Sequence, residues 1–258
     1  MRAGIWGVIA AAALLLGGCG GSRSTFHIVA GSEEKTFEPI VQEFCADEGV
    51  TCTIEYKGSL DIGLMLADSE APDIDAVWPA SSLWLGIYDS HRRVKDLKSI
   101  ASSPVILGVR MSKARELGWI GKPVRMDDVL AAVAAHKLSF LMTSATQSNS
   151  GASAYLAMLA AAFGRPDRLD PRALDDPNAR AKVKALLQGV ARSSGSSGWL
   201  KDLYLSSVKD GHPFDAMWNY EAMLKETNDA LREENGELLY AVYPADGTSY
   251  ADAPLGYV

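Results

Sequence analysis

The sequence is poor in the residues that build metal and redox centres. It holds 3 cysteines and 4 histidines among 258 residues. The histidines (His27, His91, His136 and His212) are scattered, and none stands at a zinc-ligand spacing from a cysteine. No metal site and no cofactor is expected. Catalytic motifs are missing too: there is no Gly-x-Ser-x-Gly, no His-Glu-x-x-His and no Walker sequence. "SEEK" and "SSVK" match Ser-x-x-Lys, but the Ser-Asp-Asn and Lys-Thr-Gly partners of penicillin-interacting enzymes are absent. No catalytic residue is assigned, and the chain is read as a non-enzyme. Positive charge is short, with 25 Lys and Arg against 32 Asp and Glu and a net charge of −7. Without a basic stripe, nucleic acid is excluded as a partner. The apolar run from Ile5 to Leu16 is too short for a permanent membrane span, which takes roughly 20 residues. No period of 20–50 residues repeats, so solenoids and propellers are excluded.

What is present begins with "MRAGIWGVIAAAALLLGGCGGSRS". A positive Arg2, an apolar core and small residues form the three-part layout of an export signal over residues 1–18. "LGGC" resembles the lipobox of bacterial lipoproteins, which makes Cys19 the expected lipidated first residue of the mature chain; an ordinary signal peptide with a chance cysteine is the alternative. A short Gly/Ser tether covers residues 19–24. Loss of Arg2 with the signal takes the mature net charge to −8. Cys45 and Cys52 then remain in an oxidising compartment, flanking "ADEGVT". A disulfide is the preferred reading, and two buried free thiols are the other.

Along the mature chain, hydrophobic periods alternate. "TFHIVAG" reads as a buried strand. "KTFEPIVQEFCADEG" reads as a helix, with Phe37, Ile40, Val41, Phe44 and Cys45 on one face and Pro39 in its first turn. "VTCTIEYKGS" is a strand, "LDIGLMLAD" a short helix and "IDAVWPASS" a strand. That order predicts an α/β fold with mainly parallel sheets. A polar stretch, "DSHRRVKDLKSIA", leads into the strand "PVILGVR". A second α/β unit follows, with a strand at "LSFLMTS", a helix at "GASAYLAMLAAAFG", and a Ser/Gly loop, "RSSGSSG", feeding another helix.

Laid end to end, "IVAGSEEKTFEPIVQEF", "IEYKGSLDI", "DAVWPASSLW", "TSATQSNSGASAYL", "RSSGSSGWLKDLYL" and "YAVYPADG…DAPLGYV" resemble bacterial extracellular solute-binding proteins of the type II periplasmic-binding fold. The branch is one often adjacent or fused to von Willebrand factor A modules. The resemblance implies two α/β lobes hinged by two crossover strands: lobe I over residues 25–104, lobe II over 105–245, and a return crossover over 246–258. Members of the family continue past the return strand. Lobe I is therefore expected to be incomplete at its C-terminal side, with an apolar sheet face exposed. A small polar ligand, an oxyanion among the candidates, would be caught between the lobes for an ABC permease or a sensory partner. The alternative is a non-catalytic envelope scaffold working with a von Willebrand factor A protein. Either role would keep the chain lipid-anchored on the extracytoplasmic side of the cell membrane or at the periplasmic face of the outer membrane.

The candidate ligand residues lie where strands end. Gly31-Ser32, Gly58-Ser59, Trp78, and the run Ser148, Ser150, Gly151 and Ser153 would meet in one cleft. Free N–H groups at helix starts and rotatable hydroxyls suit polar or anionic ligands. A plain serine N-cap accounts equally for one of these serines, and Trp78 suits a core position as well as a stacking one. The resemblance adds Asn219, Tyr220 and Glu221 from "WNYEAM".

Overall fold

Two apolar periods, 2 for strands and 3.6 for helices, sort the chain into elements that the computed structural model describes over residues 24–164 and 175–258. The expected signal peptide, Cys19 and nearly all of the tether lie outside the described residues. The first half runs β1 (Thr25–Gly31), a 3₁₀ turn (Ser32–Phe37), α1 (Glu38–Asp47), β2 (Thr51–Lys57), α2 (Ser59–Ala67), β3 (Ala76–Trp78), α3 (Ser82–Tyr88) and β4 (Lys95–Ser99). The second runs β5 (Ser103–Arg110), α4 (Met111–Glu116), α5 (Met126–Ala134), β6 (Phe140–Thr143), α6 (Asn149–Ala162), α7 (Pro177–Leu187), β7 (Val190–Ser194), α8 (Ser197–Lys209), β8 (Ala216–Tyr220), α9 (Glu221–Glu233), β9 (Leu239–Val242) and β10 (Tyr250–Ala251). The last strand, β11 (Pro254–Tyr257), returns to the first sheet.

These strands form two sheets and hence two lobes. One sheet has the order β2-β1-β3-β11-β4; the other is β10-β5-β8-β6-β7, with β9 also paired to β5. Within each lobe the βαβ units are parallel: β1 with β2 and β3, β6 with β7 and β8. The antiparallel pairs belong to the crossings, where β5 meets β8, β9 and β10, and β11 meets β3 and β4. Among the described residues, 100–102 and Asp252-Ala253 carry the chain between the sheets. The two crossings are tied to one another: Ala253 N–H donates to Ala80 O at 2.9 Å, and Ser82 N–H to Asp252 Oδ1 at 2.8 Å.

Two of these strands differ from the sequence reading. β4 (KDLKS) is exposed along its whole length and β7 (VARSS) along most of it, so neither shows the alternation that marks a half-buried strand. Both are edge strands, polar because edges face water. The second lobe holds the larger core, built around Leu107, Phe140, Met158 and Trp218. In the first lobe, Val29, Ile62, Leu66 and Val77 fill the face under α2 and α3.

The opposite face carries Ile28, Ala30, Ala76 and Trp78, and α1 covers only part of it. A groove of about 420 Å³ runs between α1 and β11. On α1, Cys45 is buried but Ile40 and Phe44 stand 65% and 64% exposed at the groove. The apolar stripe read from sequence is there, and no element among the described residues covers its outer half. Cys45 is joined to Cys52 by a disulfide that ties α1 to β2 across the intervening loop. Closing so short a loop stabilises by roughly 2–3 kcal/mol on the chain-entropy model.

Candidate functional site

Parallel strands that finish at one edge of a sheet deliver their following helices to that same edge. Here β1, β2 and β3 end facing β6, β7 and β8, so the helix starts of the two lobes point at each other. This is the crevice at which open α/β sheets bind ligands. The first turns of α2, α6 and α8 each carry N–H groups without intrahelical partners, and each opens with serine or asparagine at its first position (Ser59, Asn149, Ser197).

The side chains interlock. Ser150, fully buried, has its Oγ 2.9 Å from Thr143 Oγ1 and 2.8 Å from Ser197 Oγ, while Ser148 Oγ lies 3.4 Å from both Ser150 and Ser197. Asn219 Nδ2 donates to Ser197 O at 3.0 Å, and Asn149 Nδ2 donates to Tyr220 OH at 2.9 Å. Among the described residues three hydrogen bonds cross from lobe to lobe. Gly198 N–H donates to Ser32 Oγ at 2.8 Å, Leu60 N–H to Gln147 O at 3.0 Å, and Trp84 Nε1–H to Asn149 Oδ1 at 2.8 Å. Leu60 and Trp84 also pack against Ala152 across the boundary. The lobes are therefore closed on one another.

Of the residues singled out in the sequence, Ser32, Ser59, Ser148, Ser150, Ser153, Asn219 and Tyr220 come together at this boundary. Gly31 and Gly58 line it with backbone. Ser59 Oγ, however, accepts from Ala80 N–H at 2.9 Å, inside its own lobe. Gly151 packs internally: a Cβ there would stand 2.2 Å from Thr143 O. Two residues lie elsewhere. Trp78 is stacked on Phe37 with centroids 5.6 Å apart and donates its indole N–H to Ala253 O at 3.1 Å, which makes it a core residue beneath the return crossing. Glu221 is exposed at the start of α9, where Tyr243 OH donates to it.

Sequence reasoning passed over Asn149, Ser197, Trp84 and, above all, Glu33. The signal for Glu33 was its place: two acids, Glu33 and Glu34, follow directly on a glycine-serine strand end. Burial pushes Glu33 up to about 7, against which its own N–H and the hydroxyls of Ser32 and Ser59 work. Burial and then the Glu33 charge push Glu34 up to about 9. Tyr220 is raised well above the usual tyrosine range by burial and then by Glu33. A cavity of about 370 Å³ opens beside the boundary, lined by Ser32, Glu33, Tyr56, Gly198 and Trp199. That volume suits a small solute.

The comparisons agree with this geometry. The sulfate-binding protein SubI from Mycobacterium tuberculosis H37Rv superposes with a TM-score of 0.62 at 21% identity, over 92% of this chain and 76% of that one. A periplasmic thiamin binding protein gives 0.65 at 10% identity, over 91% and 73%. The periplasmic molybdate-binding protein of Azotobacter vinelandii gives 0.53 at 11% identity, over 90% and 85%. Likenesses this distant establish the fold. No curated protein matches the chain. Among the described residues no helix is long and apolar enough to cross a membrane. The family described as bacterial extracellular solute-binding protein matches residues 27–257, and the chain belongs to that family of binding proteins, which are not enzymes.

Proposed function

We propose that the chain captures one small polar solute between its lobes and presents it to a membrane permease. The observation that supports this is the meeting of helix starts and hydroxyls from both lobes (Ser32 and Ser59 facing Ser148, Ser150 and Ser197) beside a cavity of solute size. N–H groups and hydroxyls without fixed charge can donate to many polar groups, so the cradle sets polarity and shape. Thermal unfolding against a library of small polar solutes tests it. A true ligand stabilises the folded chain by about 2.7 kcal/mol at a hundred times Kd, and so raises the melting temperature with concentration. Ser150→Ala should then weaken that ligand about ten- to a hundredfold, the worth of one hydrogen bond to a polar or charged group. Unchanged affinity in a folded Ser150→Ala protein would confine Ser150 to positioning the start of α6.

We further propose that Cys19 anchors the mature chain through lipid, a reading supported by "LGGC" after the apolar run. Diacylation gives stable membrane attachment where a single acyl chain does not. Membrane fractionation of Cys19→Ser should find the precursor uncleaved at this site; normal processing and retention would refute the anchor. A scaffold role beside a von Willebrand factor A protein is the reading left if no solute binds.

A further inference from the structure

Acids outnumber bases around the cleft: Glu33, Asp202 and Glu226 line the larger cavity with Lys35 and Lys201, and the charged residues on the smaller one are Glu33, Glu34 and Glu226. Glu33 sits in the turn that follows β1, and its carboxylate folds back over Gly31, where a Cβ would stand 2.4 Å from Oε1. Ser32 Oγ reaches Oε2 at 3.5 Å, and the Glu33 N–H and the Ser59 hydroxyl also act on this carboxylate. Glu33 lines both the 370 Å³ cavity and a smaller one of about 90 Å³, which Glu34 and Tyr220 share. Glu34 is itself only 5% exposed.

Two of the three lysines nearby are paired with other carboxylates. Lys201 is 2.7 Å from Glu226, Lys57 is paired with Glu55, and Lys35 is exposed at the rim. Among the described residues no ion pair joins Glu33 or Glu34 to a cation. The donors at the end of β1 that would hold an incoming oxyanion thus already serve the chain's own carboxylate, whose negative charge remains toward the cavities. A second observation is Glu34, which lines the smaller cavity and whose carboxyl, among the described residues, has no hydrogen bond or ion pair. Buried polar groups left without partners are rare and call for an explanation such as a ligand.

Resting on the solute-binding reading above, we infer that Glu33 is the counter-charge for the bound solute and that the cleft takes a small organic cation. The positively charged nitrogen of the solute sits on the Glu33 carboxylate, and its polar remainder meets the hydroxyls of the second lobe. A carboxylate held by neutral donors but buried without a counter-charge disfavours its own ionisation; a cation removes that penalty, whereas a second anion adds to it.

Calorimetry and thermal shift on the mature chain and on Glu33→Gln decide the matter, at pH 8, where Glu33 is ionised. The probes are thiamine, choline, putrescine and arginine as cations, and sulfate, phosphate and molybdate as oxyanions. Circular dichroism confirms that the variant is folded. The expected result is that a cationic probe binds the wild type and is weakened at least about tenfold in Glu33→Gln, the value of one charge-assisted bond. Its affinity for the wild type should also fall between pH 8 and pH 6. An oxyanion that binds the wild type, and binds Glu33→Gln as tightly or more tightly, would overturn the assignment of Glu33 while leaving solute capture intact. A cation held equally by both proteins would overturn it as well. No binding of either class to either protein would count against solute capture itself, and this inference would fall with it.

Discussion

The unfolding free energy of the wild-type chain should fall as pH rises from 5 to 8. Glu33 and Glu34 stand at about 7 and about 9 in the folded protein, above the ordinary glutamate value of 4.5. The folded state therefore holds their protons more tightly than the unfolded chain does, and stability declines wherever the two states differ in protonation. For Glu33 that window is about 4.5 to 7, and for Glu34 it extends toward 9. The Glu33 contribution is about 2–3.5 kcal/mol at 1.36 kcal/mol per pH unit, the lower figure allowing for the water that still reaches it. Groups around the pair do not reverse the sign. Tyr220 and Tyr56 are raised, and Lys201 is committed to Glu226. Glu116, Asp229 and Glu237, held down by neighbouring Lys, Arg or Ser112 groups, act in the opposite direction but titrate below the ordinary range, outside this window. Urea unfolding at pH 5.5, 7 and 8.5 measures the slope. Glu33→Gln should flatten it below pH 7, and Glu34→Gln should flatten the part above. A wild-type curve without slope would mean that both carboxyls are solvated.

The penalty has a functional side. On the inferred role of Glu33, a cleft that buries a carboxylate without a counter-charge stores free energy that a cationic solute would release on entry. Affinity then comes partly from relief of this strain, so selectivity follows from charge as much as from shape.

Much of the fold could be read from residue order. The strands at "TFHIVAG" and "LSFLMTS" are buried on both faces over Ile28–Gly31 and Phe140–Thr143 and so mostly apolar there, and α1 and α5 show the helical period because one side meets the sheet. β4 and β7 could not be read, since an edge strand in water has no need of alternation. The site was legible as chemistry wherever small polar residues cluster after a strand, as they do from Ser148 to Ser153. It was not legible where one residue's role depends on a distant element. Trp78 offers the same indole to a ligand or to Phe37, and only the return of the chain at Ala253 decides which. Glu33 looks like any surface acid in "SEEK" until the second lobe closes over it. Asn149 bridges Trp84 and Tyr220, partners 65 and 71 residues away, and no local pattern announces such a bridge.

Gly58→Ala should open the protein. Gly58 caps α2 with φ −71° and ψ 146°, a conformation alanine adopts freely, so the substitution does not strain lobe I. The cost at this cap is on the order of 1 kcal/mol. Across the boundary the outcome differs. The new Cβ would stand 2.2 Å from Gln147 O and 2.9 Å from Gly195 O, both backbone atoms of lobe II that cannot swing aside. Relief requires the lobes to part, which also breaks the adjoining Leu60 N–H to Gln147 O bond. Closure is what brings Ser32 to Gly198 and Trp84 to Asn149, so affinity should drop with the population of the closed state. An equilibrium moved from 99:1 closed to 1:99 lowers apparent affinity by about a hundredfold. Small-angle scattering should show a larger radius of gyration for Gly58→Ala than for wild type, with circular dichroism unchanged. Ligand affinity should fall without a matching fall in melting temperature of the unliganded protein. A variant that scatters like wild type and binds as tightly would show that Gly58 is not pressed between the lobes in solution.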